Sequence, residues 1–162
     1  MPDESLKIRP ATEADVQLIV EFIRALAEYE KLLDEVVATE EEVRESLFGE
    51  QPAAEALIGE WEGEPAVFAI YFQNFSTFTG RAGLYLEDLF VKPEYRKRGI
   101  GKLMLKHLAE IAVERGYPRF EWIALDWNEP AIKFYEGLGA KQLTDKRYFR
   151  MNGEPLKQLS GG

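Results

Sequence analysis

"RKRGIG", Arg96 to Gly101, puts three cations and two glycines into six residues of a chain with formal net charge −9. An apolar run, "YLEDLFV" (Tyr85–Val91), precedes it and Pro93 closes that run. After it, Ile100, Leu103, Met104, Leu108, Ile111 and Ala112 recur at helical spacing. The six residues therefore read as the junction between a strand and a helix. A helix N-terminus leaves N–H groups unpaired and carries partial positive charge. Glycine lets a ligand come close to the backbone, because it has no Cβ. A diphosphate cradle and a solvated turn both fit the six residues taken alone.

Two known phosphate motifs fail here. A P-loop requires G-x-x-x-x-G-K-[ST]. Gly101-Lys102 supplies its end, but Arg96 stands at the first glycine and Leu103 at the hydroxyl position. A dinucleotide fingerprint requires G-x-G-x-x-G. After Gly99 and Gly101 its third position is Met104.

Outward from the junction, a strand–helix order emerges. "LKIR" (Leu6–Arg9) is a short strand stopped by Pro10, and Thr12 can cap the first helix. From Glu13 to about Leu33, Val16, Ile19, Val20, Ile23, Leu26 and Ala27 have helical spacing. Thr39 opens a second helix with an acidic first turn, "TEEEVRESLF". "AEALIGEWEGEPAVFAIYFQNF" reads as two strands around Glu62-Gly63-Glu64-Pro65, and "RAGLYLEDLFV" as another strand. The third helix spans Gly99 to Gly116. "RFEWIALDW" (Arg119–Trp127) is a strand, and "NEPAIKFYEGLG" a helix with an Asn128 cap and Pro130 in its first turn. "KQLTDKRYFRM" and "EPLKQL" read as a closing hairpin around Asn152-Gly153. The predicted fold class is α/β: one domain, residues 1–162, with a mixed sheet covered by helices in the order β-αα-ββ-β-α-β-α-ββ.

Composition narrows the function classes. A length of 162 residues suits one domain, and 46% hydrophobic with 30% charged residues reads as globular. No apolar run approaches the roughly 18 residues of a membrane span. "MPDESLKIRP" lacks the basic and apolar regions of a signal peptide, and there is no cysteine. A cytoplasmic location without membrane association is expected. The missing cysteine excludes disulfides, thiolate metal sites and a cysteine nucleophile. With 29 acidic against 20 basic residues, the summed field repels nucleic acid and favours a cationic partner. His107, the one histidine, borders the apolar face of the third helix and reads as structural.

What remains at the junction is R-x-x-G-x-G after a strand ending in Val-x-Pro. Together with "WNEPAIKFYEGLGA" (Trp127–Ala140), about 30 residues later, it closely resembles the GNAT superfamily of acetyl-coenzyme A-dependent N-acetyltransferases. "RPAT", "LAEYEKL", "YLEDLFV", "PEYRKRGIG" and "LTD" extend the likeness over roughly Arg9 to Asp145. They resemble the branch of diamine and thialysine acetyltransferases, also called spermidine/spermine acetyltransferase-like proteins. Polyamine-specific relatives carry an Asp-Pro-Trp-type stretch where this chain has "STFTGR" (Ser76–Arg81), which is closer to the thialysine type.

The resemblance implies a site. Coenzyme A would lie between two splayed central strands, its pantetheine arm bonding to backbone over Leu89, Phe90 and Val91. Its pyrophosphate would meet Lys97, Arg98, Gly99, Ile100, Gly101 and Lys102. Asn128, Glu129, Pro130 and Ala131 would flank the arm. Tyr135 would protonate the leaving thiolate and Glu87 would take the amine proton, directly or through water. Adjacent strand residues point to opposite faces, so Glu87 and Asp88 are not expected to act as a pair, and Asp88 reads as structural. Tyr29 and Glu30, with Glu121 and Trp122 as weaker candidates, would hold a small cationic amine. No metal is expected, and relatives are usually homodimers. Two other readings stay open: a protein N-acetyltransferase, and a non-catalytic acyl-coenzyme A-binding module.

Overall fold

The computed structural model describes residues 5–162, which fall into two compact units divided between Ile123 and Ala124. In the first unit, β1 (Leu6–Pro10), β2 (Glu55–Trp61), β3 (Glu64–Ser76), β4 (Arg81–Val91) and β5 (Phe120–Trp122) form one sheet in sequential order. All neighbours pair antiparallel except β4 and β5, which are parallel. The β2–β3 turn is two residues long, with Glu62 at φ 51° and Gly63 at φ 86°. Left-handed backbone at both positions matches the twist of the flanking strands.

Alternation along β3 sorts the core into two layers. Phe68 and Ile70, with Ala56, Ile58 and Phe90, pack against α1 (Val16–Tyr29) and α2 (Glu40–Phe48) through Val16, Ile19, Phe22 and Val43. Phe22 stacks on Phe68 with centroids 4.8 Å apart. On the other face, Val67 lies towards Met104, and Val91 towards Gly101, both in α3 (Ile100–Glu114). The expected helix from Glu13 to Leu33 is α1 flanked by two short 3-10 turns, Glu13–Asp15 and Leu33–Glu35. Thr39 caps α2 reciprocally with Glu42, as its sequence predicts.

Two expected elements differ. β5 stops at Trp122, well short of Trp127, and a turn follows in which the Asn128 N–H donates to the Leu125 carbonyl. In the second unit, α4 (Glu129–Gly137) forms where its sequence predicts, but the closing hairpin does not. Residues 141–152 carry no strand, and Gly153–Leu159 is a helix, α5. Pro155 lacks the N–H that a ladder needs but suits a first helical turn. Glu154 and Lys157 complement the two ends of the helix dipole.

Candidate active site

The site begins with one extra residue in β4. Ile70 pairs with Asp88 and its neighbour Tyr71 with Leu86, so Glu87 is left over as a bulge. Two hydrogen bonds show its effect. The Leu84 N–H donates to Arg119 beside β5, whereas the Lys92 N–H donates inward to Ala66 of β3. Strict alternation would aim residues 84 and 92 the same way. The bulge reverses this, so the N–H and C=O groups of Leu89 and Val91 turn away from β3. β5 pairs only with Leu84, Tyr85 and Leu86. Among the described residues no strand pairs with β4 from Glu87 to Val91 on that side. The result is an open edge inside the unit, and it also ends the β4–β5 ladder.

The bulge also changes the acidic residues. Asp88 and Phe90 lie on the α1 face, where Asp88 lines a cavity of about 180 Å³ with Ile23, Leu26, Ala27 and Glu30. Burial, and then repulsion from Glu87 and Glu30, push the Asp88 carboxyl up to about 7. Burial and repulsion from Glu87 also raise Glu30. The extra residue breaks the regular alternation on which the separation of Glu87 from Asp88 was expected, and Glu87 acts on both Glu30 and Asp88. The acidic pair in "YLEDLFV" marks the place in the sequence, but the burial of Asp88 follows from its register with β3.

Asp88 carries a pH prediction. Its folded pKa lies above the unfolded value near ~3.9, so the folded state holds the proton more tightly. The stabilising protonated form is fully present below about pH 4 and is lost as pH rises through about 7. Glu30, Glu35 and Glu87 are the other carboxylates near it, and Glu30 adds a smaller trend of the same sign. Asp88→Asn should be more stable than the parent at pH 8, by on the order of 2 kcal/mol, with little difference at pH 4. Urea unfolding at both pH values measures this; an equal effect at both would remove Asp88 as the source.

Tyr29 and Glu30 follow directly at the end of α1. The Arg96 guanidinium sits 5.0 Å from the Tyr29 ring centroid and 5.3 Å from that of Phe90, and its Nε donates to the Val91 carbonyl at 3.1 Å. Arg96 thus touches both the open edge and the acidic side. The two weaker candidates on β5 separate. Glu121 is in register with Tyr85, and its carboxylate accepts from Asn74 at 3.3 Å. Trp122 is in register with Leu86 on the α3 face, so it does not share a face with Glu121.

The basic loop folds as a short turn, Pro93–Tyr95, followed by left-handed Lys97 (φ 65°) and Gly99 (φ 76°). Gly99 is the N-cap of α3, and its carbonyl accepts from Leu103. The N–H groups of Ile100, Gly101 and Lys102 belong to the first turn and have no partner within the helix. A Cβ built on Gly99 would meet nothing within 4 Å, so the approach to these groups is open. Lys97, Arg98 and Lys102 are all exposed around it. Open N–H groups, left-handed corners and three cations fit a diphosphate.

In the second unit, Asn128 takes the N-cap position of α4, with Glu129, Pro130 and Ala131 in the first turn. Its carbonyl accepts from Ile132, but its side chain makes no cap hydrogen bond, contrary to the expectation of an asparagine cap. Its ψ of 67° differs from the extended backbone usual for a capping side chain. Tyr135 lies about two turns past Asn128, its ring 5.6 Å from that of Phe134.

An open strand edge and a helix N-terminus ringed by cations lie on the same strand–loop–helix unit, and comparison places that unit in a known class. The Acetyltransferase (GNAT) family pattern matches residues 21–140. The chain belongs to this family and is an N-acetyltransferase. A thialysine N-epsilon-acetyltransferase of Sus scrofa is 43% identical, over 97% of this chain and 98% of that protein. An L-ornithine N5-acetyltransferase of Arabidopsis thaliana is 30% identical, over 94% and 87%. Among solved structures, an integron cassette protein from the mobile metagenome of V. cholerae superposes with a TM-score of 0.81 at 28% identity, covering 99% of this chain and all of that one.

Proposed function

We propose that this enzyme transfers acetyl from acetyl-coenzyme A to the primary amine of a small, lysine-like cation. The observation that carries the acceptor class is the 43% identity, over nearly the whole of both chains, to a thialysine N-epsilon-acetyltransferase. The three mutually repelling carboxylates Glu30, Glu87 and Asp88 support it. A bound ammonium group relieves their repulsion and favours ionised Asp88.

The pantetheine arm runs along Leu89 to Val91 as an added strand, and the pyrophosphate rests on the N–H groups from Arg98 to Lys102. Asn128 to Ala131 complete the grip on the donor. A lysine-type amine has a pKa near ~10.4 and must lose a proton to become nucleophilic. Its nitrogen then attacks the thioester carbon, a C–N bond forms and the C–S bond breaks. The developing oxyanion is held by an outward N–H of β4. Of the two protons that the ammonium sheds, one passes through Glu87 to solvent. The other restores the Tyr135 phenol, which has protonated the thiolate. Both compact units serve one catalytic domain, and the enzyme works as a cytoplasmic homodimer.

Thiol release measured over thialysine, lysine, ornithine, diamines, polyamines and lysine-bearing peptides tests the reading. The highest kcat/KM is expected for thialysine or lysine. Faster turnover of peptides would make the enzyme a protein acetyltransferase, and no thiol release with any amine would leave an acyl-coenzyme A-binding module.

A further inference from the structure

Arg96 and Arg98 leave the basic loop towards different parts of the first unit. Arg96 turns to the α1 face, where its guanidinium lies over Tyr29 and Phe90. The Arg98 guanidinium instead sits 5.3 Å from the ring centroid of Trp61 and 5.6 Å from that of Tyr95. Trp61 is the last residue of β2 and Tyr95 ends the short turn before the loop. Left-handed Lys97 and Gly99 flank Arg98 on both sides. Lysine is not a residue that adopts this backbone freely, so the loop holds a locally costly shape around Arg98.

Such a stack has a consequence for anion binding. An exposed arginine side chain has large rotamer freedom, much of which is lost when it grips a phosphate. A guanidinium lying over aromatic rings can still offer N–H groups to oxygen acceptors. Among the described residues, one weak contact engages them, from Nη2 to the Glu94 carbonyl at 3.5 Å.

We propose that Trp61 and Tyr95 are positioning residues that hold Arg98 ready for the pyrophosphate of the acetyl donor. The inference rests on the reading of the Arg98 to Lys102 loop as the pyrophosphate site. It gives β2, otherwise remote from the reaction, a part in donor affinity. On this proposal the rings act through Arg98, so their removal costs nothing further once Arg98 is gone.

Calorimetric binding of coenzyme A, and of pantetheine, which lacks the diphosphate, tests this on the full chain. Trp61→Ala should raise the coenzyme A Kd about fivefold, leave that of pantetheine unchanged, and be rescued by Trp61→Phe. The double variant Trp61→Ala/Arg98→Ala should bind no worse than Arg98→Ala alone. Tyr95→Leu, which leaves β2 intact, should repeat the effect if Trp61→Ala fails to fold. Additive losses in the double variant, or equal losses for coenzyme A and pantetheine, overturn the positioning role. If Arg98→Ala itself leaves coenzyme A affinity unchanged, the pyrophosphate reading of Arg98 is what fails. If Arg98→Ala weakens binding while Trp61→Ala and Tyr95→Leu do not, only the positioning role fails.

Discussion

Tyr135→Phe is expected to lower kcat by about 10²- to 10⁴-fold while leaving coenzyme A affinity within about twofold. The change removes one hydroxyl and keeps the ring on α4, so the contact with Phe134 remains available. A thiolate leaving without a proton donor is the step that suffers. The loss should therefore be largest for the thioester with the most basic leaving thiol, and smaller for an aryl thioester whose thiolate needs no proton. Single-turnover kinetics with both donors measure this. An unchanged rate, or an equal loss for the two leaving groups, would remove Tyr135 from proton transfer.

Leu89→Pro should abolish most activity, by about 10²- to 10³-fold, in a chain that still folds. Proline is tolerated in a strand where its missing N–H faces an open edge. The β4 bulge places Leu89 in that position, since the Lys92 N–H donates inward and its parity is opposite. The variant therefore spares the β3 ladder and removes a donor offered to the cofactor arm or the oxyanion. Leu89→Ala controls for the side chain and should retain most turnover. Phe90→Pro is the contrast: it strikes the ladder and a side chain only 5% exposed, and should prevent folding. Circular dichroism and turnover on the three variants decide the matter. A Leu89→Pro enzyme with ordinary rates would show that this N–H serves neither purpose.

Much of the candidate site's local structure was legible in the chain because its parts are local. The glycine spacing in "RKRGIG" dictates a corner and a helix start, and Gly99 and Lys97 take the left-handed backbone there. "NEPAIKFYEGLG" carries its own start and stop, and α4 forms within it. The family motifs named Tyr29 and Glu30 from positions near the end of a single helix. Reading failed where one residue has conflicting local signals. "KQLTDKRYFRM" has the composition of a strand but gains no ladder, and Pro155 starts a helix where a strand was expected.

Local spacing thus determined the strand–loop–helix junction, its positive charge and the family to which the chain belongs, since each rests on residues within a few positions of one another. Only tertiary pairing decided the rest. Whether β4 alternates regularly depends on its register with β3, which is set by contacts between residues about twenty positions apart. One unpaired residue, Glu87, opens the strand edge, turns Leu89 and Val91 outward, and brings Asp88 into the field of Glu30. The stacking of Arg98 on Trp61 likewise exists only because the sheet brings the end of β2 to the loop after β4. A bulge and a long-range stack leave no periodic mark in a sequence, because the interactions that stabilise them lie across the sheet and not along the chain.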